Sequence, residues 1–150
     1  MEISPLQILL ADDDRDDHEL FQAALEETSI HTQLTMVEAG DELMNLLTQK
    51  KCILPDILFL DLNMPRKTGR ECLMEIKRNA RLQSLPVIIY TQTVYPMLVE
   101  ELYINGALYY IQKPDSFQKL AQVLKQVLSI PEEKKRVQPN KEDFVFHYVH

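Results

Sequence analysis

Short apolar runs alternate with amphipathic stretches along most of the chain. Residues 7–12, 33–38, 57–61, 87–91 and 108–112 read as strands, and residues 16–27, 41–49, 70–79, 97–105 and 116–129 as helices. In the last helix Phe117, Leu120, Ala121, Leu124, Val127 and Leu128 return every three or four positions, which lays one apolar stripe against a core. The first helix repeats the stripe with Leu20, Phe21, Ala24 and Leu25, after an acidic first turn that suits the positive end of a helix dipole. The strands mostly do not alternate. Ile57-Leu58-Phe59-Leu60 and Val87-Ile88-Ile89 are apolar on both faces, as parallel strands are when helices cover both sides of their sheet. Five βα repeats of this kind predict a doubly wound α/β fold, a five-stranded parallel sheet flanked by five helices. In such folds ligands gather at the carboxyl ends of the strands.

Composition narrows the function classes. At 150 residues and 45% hydrophobic content the chain is one domain with little left over. Its 16 Lys and Arg against 23 Asp and Glu give a net charge of −7, and the one basic cluster is Lys134-Lys135-Arg136. Binding a phosphate backbone needs a basic footprint, so nucleic acid is not an expected partner. No apolar run approaches the ~20 residues that span a bilayer. Residues 1–20 lack the basic start and apolar stretch of a signal peptide. A cytoplasmic protein without membrane attachment is therefore expected. Cys52 and Cys72 are too few for a disulfide framework and lack zinc-like spacing, so both read as reduced thiols, Cys72 packed on a helix.

The strand ends carry the candidate chemistry. Strand one ends in Asp12-Asp13, strand three in Asp61 and strand four in Thr91, while strand five runs into Lys113-Pro114. All should emerge at one edge of the sheet. Three carboxylates crowded there would repel by roughly 4 kcal/mol per pair at ~4 Å and an effective dielectric of ~20. A divalent cation would relieve that repulsion, and all-oxygen ligands favour a hard ion such as Mg²⁺. The nearby lysine and threonine add a cation and a donor for a phosphoryl oxygen. The set suits transfer of a phosphoryl group onto a carboxylate.

Four stretches appear in order, each at a predicted strand: Ile8-Leu9-Leu10-Ala11-Asp12-Asp13-Asp14; Leu58-Phe59-Leu60-Asp61-Leu62-Asn63-Met64-Pro65 with Gly69; Val87-Ile88-Ile89-Tyr90-Thr91; and Gly106-Ala107-Leu108-Tyr109-Tyr110-Ile111-Gln112-Lys113-Pro114. Together they resemble the receiver domain of two-component response regulators, over residues 6–129. The resemblance implies a flavodoxin-like strand order of 2-1-3-4-5 and a set of roles. Asp61 would accept a phosphoryl group from a sensor histidine kinase or phosphotransfer protein. Asp12, Asp13, Asp61 and the backbone carbonyl of Asn63 would hold Mg²⁺, and Lys113 would pair with the phosphate. Thr91 would turn its hydroxyl onto a phosphate oxygen and Tyr110 would swing inward behind it, changing the partner preference of helix four, strand five and helix five. Tyr109 would point to the opposite face. The Lys113–Pro114 bond would be cis, and Gly69 would supply a loop position free to take φ > 0. Such a phosphoacceptor is not an enzyme beyond catalysing its own modification and hydrolysis.

Neighbouring residues have plainer readings. Asp14 suits an N-cap, and Asp16 and Asp17 a solvated helix start. His18 falls on that exposed helix start, His31 in a loop, and His147 and His150 in a terminal tail. None reads as a metal ligand or as the phosphorylated histidine of a kinase. The chain departs from the family at Gln92, where most receivers have Ala or Gly; a long side chain there would narrow access to Asp61. Asn63 and Thr93 occupy positions that tune attack by water. Lys50-Lys51-Cys52 reads as part of a surface loop.

Residues 130–150 form an extension too short for an effector domain, so output is expected through a partner protein or by passing the phosphoryl group on, with a homodimer left open. Pro131 and Pro139 bracket a charged, linker-like run that does not bury a core. Phe144, Phe146 and Tyr148 would line one face of a short strand. The extension and the long connection between strands two and three resemble regulators that serve phytochrome-type sensor kinases. Three other functions compete. A haloacid dehalogenase-type phosphatase needs a second Asp where this chain has Asn63. A flavodoxin-like electron carrier needs a hydroxyl- and glycine-rich loop after strand one. A pseudo-receiver, a phosphorylation-independent interaction module, is opposed by the set Asp13, Asp61, Thr91 and Lys113 and favoured by Gln92.

Overall fold

The continuous apolar runs become the central strands. The computed structural model of the chain describes residues 4–146. β1 (Leu6–Ala11), β3 (Ile57–Leu60) and β4 (Val87–Thr91) present apolar side chains to both faces of the sheet. β2 (Thr32–Val37) lies at one edge and alternates in burial along its first half, as an edge strand with one covered face does. With β5 (Tyr109–Gln112) the five strands form one parallel sheet of order β2-β1-β3-β4-β5. The doubly wound α/β architecture read from the pattern is the one observed.

Five helices cover it: α1 (Arg15–Glu27), α2 (Gly40–Thr48), α3 (Gly69–Arg78), α4 (Pro96–Ile104) and α5 (Phe117–Leu128). On one face Phe21, Ala24 and Leu25 of α1 and Leu120, Leu124 and Val127 of α5 pack on Ile8, Leu10, Phe59, Ile88 and Tyr90. On the other, α2, α3 and α4 bury Leu43, Leu47, Leu73, Ile76 and Leu102 against Leu9, Leu58, Leu60, Ile89 and Tyr110. Local signals set the helix starts. Asp14 caps α1, Thr68 and Glu71 form a reciprocal capping box on α3, and Ser116 caps α5.

Register decides what meets at the carboxyl ends. Leu60 lies opposite Ala11 and Ile89, so Asp61 follows into the space beside Asp12. Thr91 lies opposite Gln112, one residue before Lys113.

The extension packs on its own domain, and two expectations for it change. The run from Pro131 is not merely a solvated linker, because Lys135 is buried, with its ammonium 3.1 Å from Glu132 Oε1. Further on, the Gln138 amide donates to the carbonyls of Tyr103 and Ala107, both at 2.7 Å, and the Tyr103 hydroxyl donates to the Pro139 carbonyl at 2.8 Å. Val145 then bridges in parallel to Tyr110, whose N–H donates to Phe144 and whose carbonyl accepts from Phe146. Phe144 and Phe146 do not share a face: Phe144 is fully buried against Tyr103 and Tyr110, whereas Phe146 packs on Tyr109 across the sheet. The reason is local. Phe144 still has helical backbone angles (φ −65°, ψ −46°) as it ends a 3₁₀ turn, so the two-residue period starts only at Val145. Tyr148, His147 and His150 lie outside the described residues.

Candidate functional site

Asp61 is buried, and both of its oxygens are engaged. Oδ1 accepts from the Thr91 hydroxyl at 2.9 Å and from the Asn63 N–H at 3.3 Å; Oδ2 accepts from the Lys113 ammonium at 3.1 Å. Lys113 reaches this point from the end of β5 with only 5% of its side chain exposed, 5.3 Å from the centre of the Tyr90 ring. Its ammonium also lies 2.6 Å from Asp17 Oδ2 and 2.8 Å from Asp12 Oδ2. Burial alone would lower the Lys113 pKa, but the surrounding carboxylates reverse that and hold it above its ordinary value.

Asp12 is fully buried at the end of β1. Its Oδ1 accepts from the Asp14 N–H at 3.0 Å. Its Oδ2 has the charge of Lys113 nearby but no donor in hydrogen-bonding alignment. Burial pushes the Asp12 carboxyl up to about 6, offset in part by Lys113 and the Asp14 N–H. Asp13 is exposed beside it, and oxygens of Asp12, Asp13 and Asp61 lie within 4.8 Å of one another. A buried carboxylate oxygen lacking a donor, next to two more carboxylates, fits a hard divalent cation. Thr91 is fully buried. Tyr110 is buried, with its hydroxyl donating to the Thr93 carbonyl and its pKa pushed up to about 12 by burial. Tyr109 faces the opposite side of the sheet.

Comparison with known proteins decides the family. The model of the response regulator receiver domain matches residues 8–125. The chain belongs to this family. Among individual proteins, this receiver is 37% identical over 91 residues to the response regulator Rcp1 of Synechocystis sp., a match spanning 58% of this chain and 62% of that protein. The FilR2 protein of Methanothrix harundinacea, a probable methanogenesis regulatory protein, is 28% identical over 82% of this chain and 81% of its own. In three dimensions the receiver is similar to the phosphorylated cyanobacterial phytochrome response regulator RcpA, with a TM-score of 0.78 and 30% identity over 85% of this chain and 97% of that one. It is also similar to the Mn²⁺-bound form of Rcp1, with a TM-score of 0.76 and 31% identity over 84% and 94%. This is a response regulator receiver of two-component systems, related to phytochrome response regulators.

The receiver brings together every residue expected at the strand ends: Asp12, Asp13, Asp61, Thr91 and Lys113, with Asn63 adjoining. Four expectations are corrected. The Lys113–Pro114 bond is trans, the favoured isomer for X–Pro bonds by about 0.5–1 kcal/mol, and Lys113 reaches Asp61 with it. Gly69 does not use positive φ; it is needed for space, since a Cβ there would fall 2.1 Å from the Asp61 carbonyl oxygen. His18 is buried, its Nε2 2.5 Å from the Asp12 carbonyl oxygen. A carbonyl only accepts, so that nitrogen carries the hydrogen. Asp17 is not solvated but pairs with Lys113. Its signal was present: Asp17 stands four positions before Phe21 and seven before Ala24, on the stripe that α1 buries.

Proposed function

We propose that this receiver takes a phosphoryl group from a phosphohistidine onto Asp61 and that the modified site alters which protein it binds. The observation that supports this reading is the division of Asp61's oxygens among a hydroxyl, a main-chain amide and an ammonium, beside a carboxylate oxygen without a donor. An Asp61 oxygen attacks phosphorus, the P–N bond breaks, and its electron pair returns to the ring nitrogen; the other ring nitrogen of the phosphohistidine already carries a hydrogen, so the ring leaves as neutral imidazole. Lys113 then follows a phosphoryl oxygen with its ammonium, and the Thr91 hydroxyl turns from the carboxylate to another. Asp12, Asp13, Asp61 and the Asn63 carbonyl would hold Mg²⁺, which supplies charge neutralisation for the incoming phosphoryl group. Asp61 takes one group per cycle, so the chain is a stoichiometric acceptor rather than an enzyme acting on a separate substrate.

Tyr110 carries the change outward. Its hydroxyl is tied to Thr93, two residues past Thr91, so movement of Thr91 loads the same loop. Driving a two-state switch from 1:99 to 99:1 takes about 5.5 kcal/mol of differential stabilisation, which a few charge-assisted hydrogen bonds can supply. The donor is a cytoplasmic sensor histidine kinase or phosphotransfer protein, and likeness to cyanobacterial and bacterial phytochrome response regulators favours a phytochrome-type kinase. No helix among the described residues is long and apolar enough to cross a membrane. The test is Mg²⁺-dependent modification of the purified chain by acetyl phosphate, followed by intact mass. One phosphoryl adduct is expected on the wild type and none on Asp61→Asn. An adduct that survives in Asp61→Asn rejects the assignment, and an unmodified wild type that also resists histidine kinases favours a phosphate-independent interaction module.

A further inference from the structure

The ammonium of Lys113 has three N–H donors and three carboxylate oxygens within 3.1 Å, but it does not serve them equally. Its aligned hydrogen bonds go to Asp17 Oδ2 and Asp61 Oδ2. Asp12 Oδ2 lies at 2.8 Å yet out of line, and is left without a donor. The shortest of the three contacts is the one to Asp17, at 2.6 Å.

Asp17 comes to this place through the start of α1. Asp14 caps the helix by accepting from the N–H groups of Asp16 and Asp17, which fixes the first turn. That turn sets Asp17 on the buried stripe, one turn before Phe21, with the side chain 19% exposed. The Tyr90 ring lies against the ammonium as well. Lys113 is thus held between α1 and β3.

We propose that Asp17 is a positioning residue for the cation pocket: it draws the Lys113 ammonium toward α1 and so keeps Asp12 Oδ2 open to the divalent ion. This rests on the reading of Asp12, Asp13 and Asp61 as that pocket. With Asp17 in place, an arriving cation finds a buried oxygen with an ammonium nearby but no aligned hydrogen bond to break. Without it, the ammonium has lost its shortest partner, and the near neighbour is Asp12. Turning onto Asp12 Oδ2 converts a positive charge that already lies 2.8 Å away into an aligned donor on the oxygen that the cation must take. Binding then requires breaking a charge-assisted hydrogen bond in a buried site, an effect of about tenfold in affinity.

Asp17 could instead act simply through its own negative charge, and the two roles separate in a double-mutant cycle. Mn²⁺ is titrated into the full-length chain and read by electron paramagnetic resonance, for wild type, Asp17→Asn, Lys113→Met and the double variant. Asp17→Asn keeps the size of the side chain, and circular dichroism checks the fold. The expected result is about tenfold weaker Mn²⁺ binding for Asp17→Asn in the Lys113 background and less than twofold in the Lys113→Met background. Asp17→Ser repeats the comparison with a second side chain. In acetyl phosphate reactions the Mg²⁺ concentration for half-maximal rate rises by the same factor. Equal losses in both lysine backgrounds, or no loss, overturn the proposal while leaving the pocket intact. Failure of the wild type to bind Mn²⁺ at all overturns the pocket and the proposal together.

Discussion

The acidic pocket and the edge of β5 are neighbours on one sheet, yet opposite forces hold them. In the pocket, Asp12, Asp61 and the Lys113 side chain are withdrawn from water, and each is there for its charge. Burying such groups costs desolvation that their attraction roughly offsets, so the pocket contributes little net stability. At the β5 edge the extension docks through Phe144, Phe146 and a handful of main-chain and amide hydrogen bonds. That edge would otherwise expose a row of unpaired backbone groups. One region holds chemistry at little gain in stability, and the other holds stability without chemistry.

Substitution in each region should therefore produce opposite phenotypes. Asp61→Asn should remove the phosphoryl adduct completely while leaving the thermal midpoint close to wild type, because it relieves crowding among three carboxylates as it weakens one ion pair. Intact mass and calorimetry read the two halves of that statement. A collapse of stability in this variant would break the contrast. Phe144→Ala should do the reverse. Truncating a fully buried phenylalanine costs about 3–5 kcal/mol, a fall of roughly 6–20 °C for a domain of this size, with the Asp61 adduct still formed. The loss is capped by what docking of the extension contributes, since the segment can detach while the sheet stays folded. If Phe144→Ala abolishes the adduct, the edge and the pocket are one unit through Tyr110.

Cation binding offers a middle-sized test of the same contrast. An ion that binds only the folded state at 100 times its dissociation constant adds about 2.7 kcal/mol of stability. Mg²⁺ should therefore raise the thermal midpoint of the wild type and of Phe144→Ala alike, and should fail to do so for Asp12→Asn. A midpoint shift that persists in Asp12→Asn would move the ion elsewhere on this acidic chain.

The same contrast explains what was legible in the sequence. Buried parallel strands announce themselves as unbroken apolar runs, and polar residues that end those runs are forced to one edge, so the sequence alone places Asp12, Asp61, Thr91 and Lys113 together. Asp17 was misread because an acidic residue near a helix start has an ordinary role with the helix dipole, and only its phase with Phe21 and Ala24 showed that it faces inward. Packing of the extension on its own domain or on a second copy is one reading of the sequence, but the partners it uses were hidden for a different reason. Phe144 is buried by Tyr103 and Tyr110, distant in the chain, and its backbone is helical at the point where the pattern suggested a strand. Gly69 was singled out correctly, but its reason is a close approach to the Asp61 carbonyl, which no local pattern reveals.

The smallest effect is expected at the mouth of the pocket. Gln92 follows Thr91 at the end of β4; its carbonyl accepts from the Gln112 amide at 3.1 Å and its side chain is exposed. Gln92→Ala keeps that main-chain bond and removes only the part of the residue that can lie across the approach to Asp61. A phosphodonor and a hydrolytic water both need in-line access to phosphorus, so formation and loss of the adduct should both speed up while the fold is unchanged. The size is bounded, because an exposed side chain can be moved aside by giving up its rotamer freedom, at most about 1.5–2 kcal/mol, or roughly ten- to thirtyfold in rate. Stopped-flow phosphorylation and decay of isolated phosphoprotein measure the two rates. An increase in one alone would mean that Gln92 acts on the chemistry rather than on access, and no change in either would mean that the mouth is set by the backbone of β4 and not by this side chain.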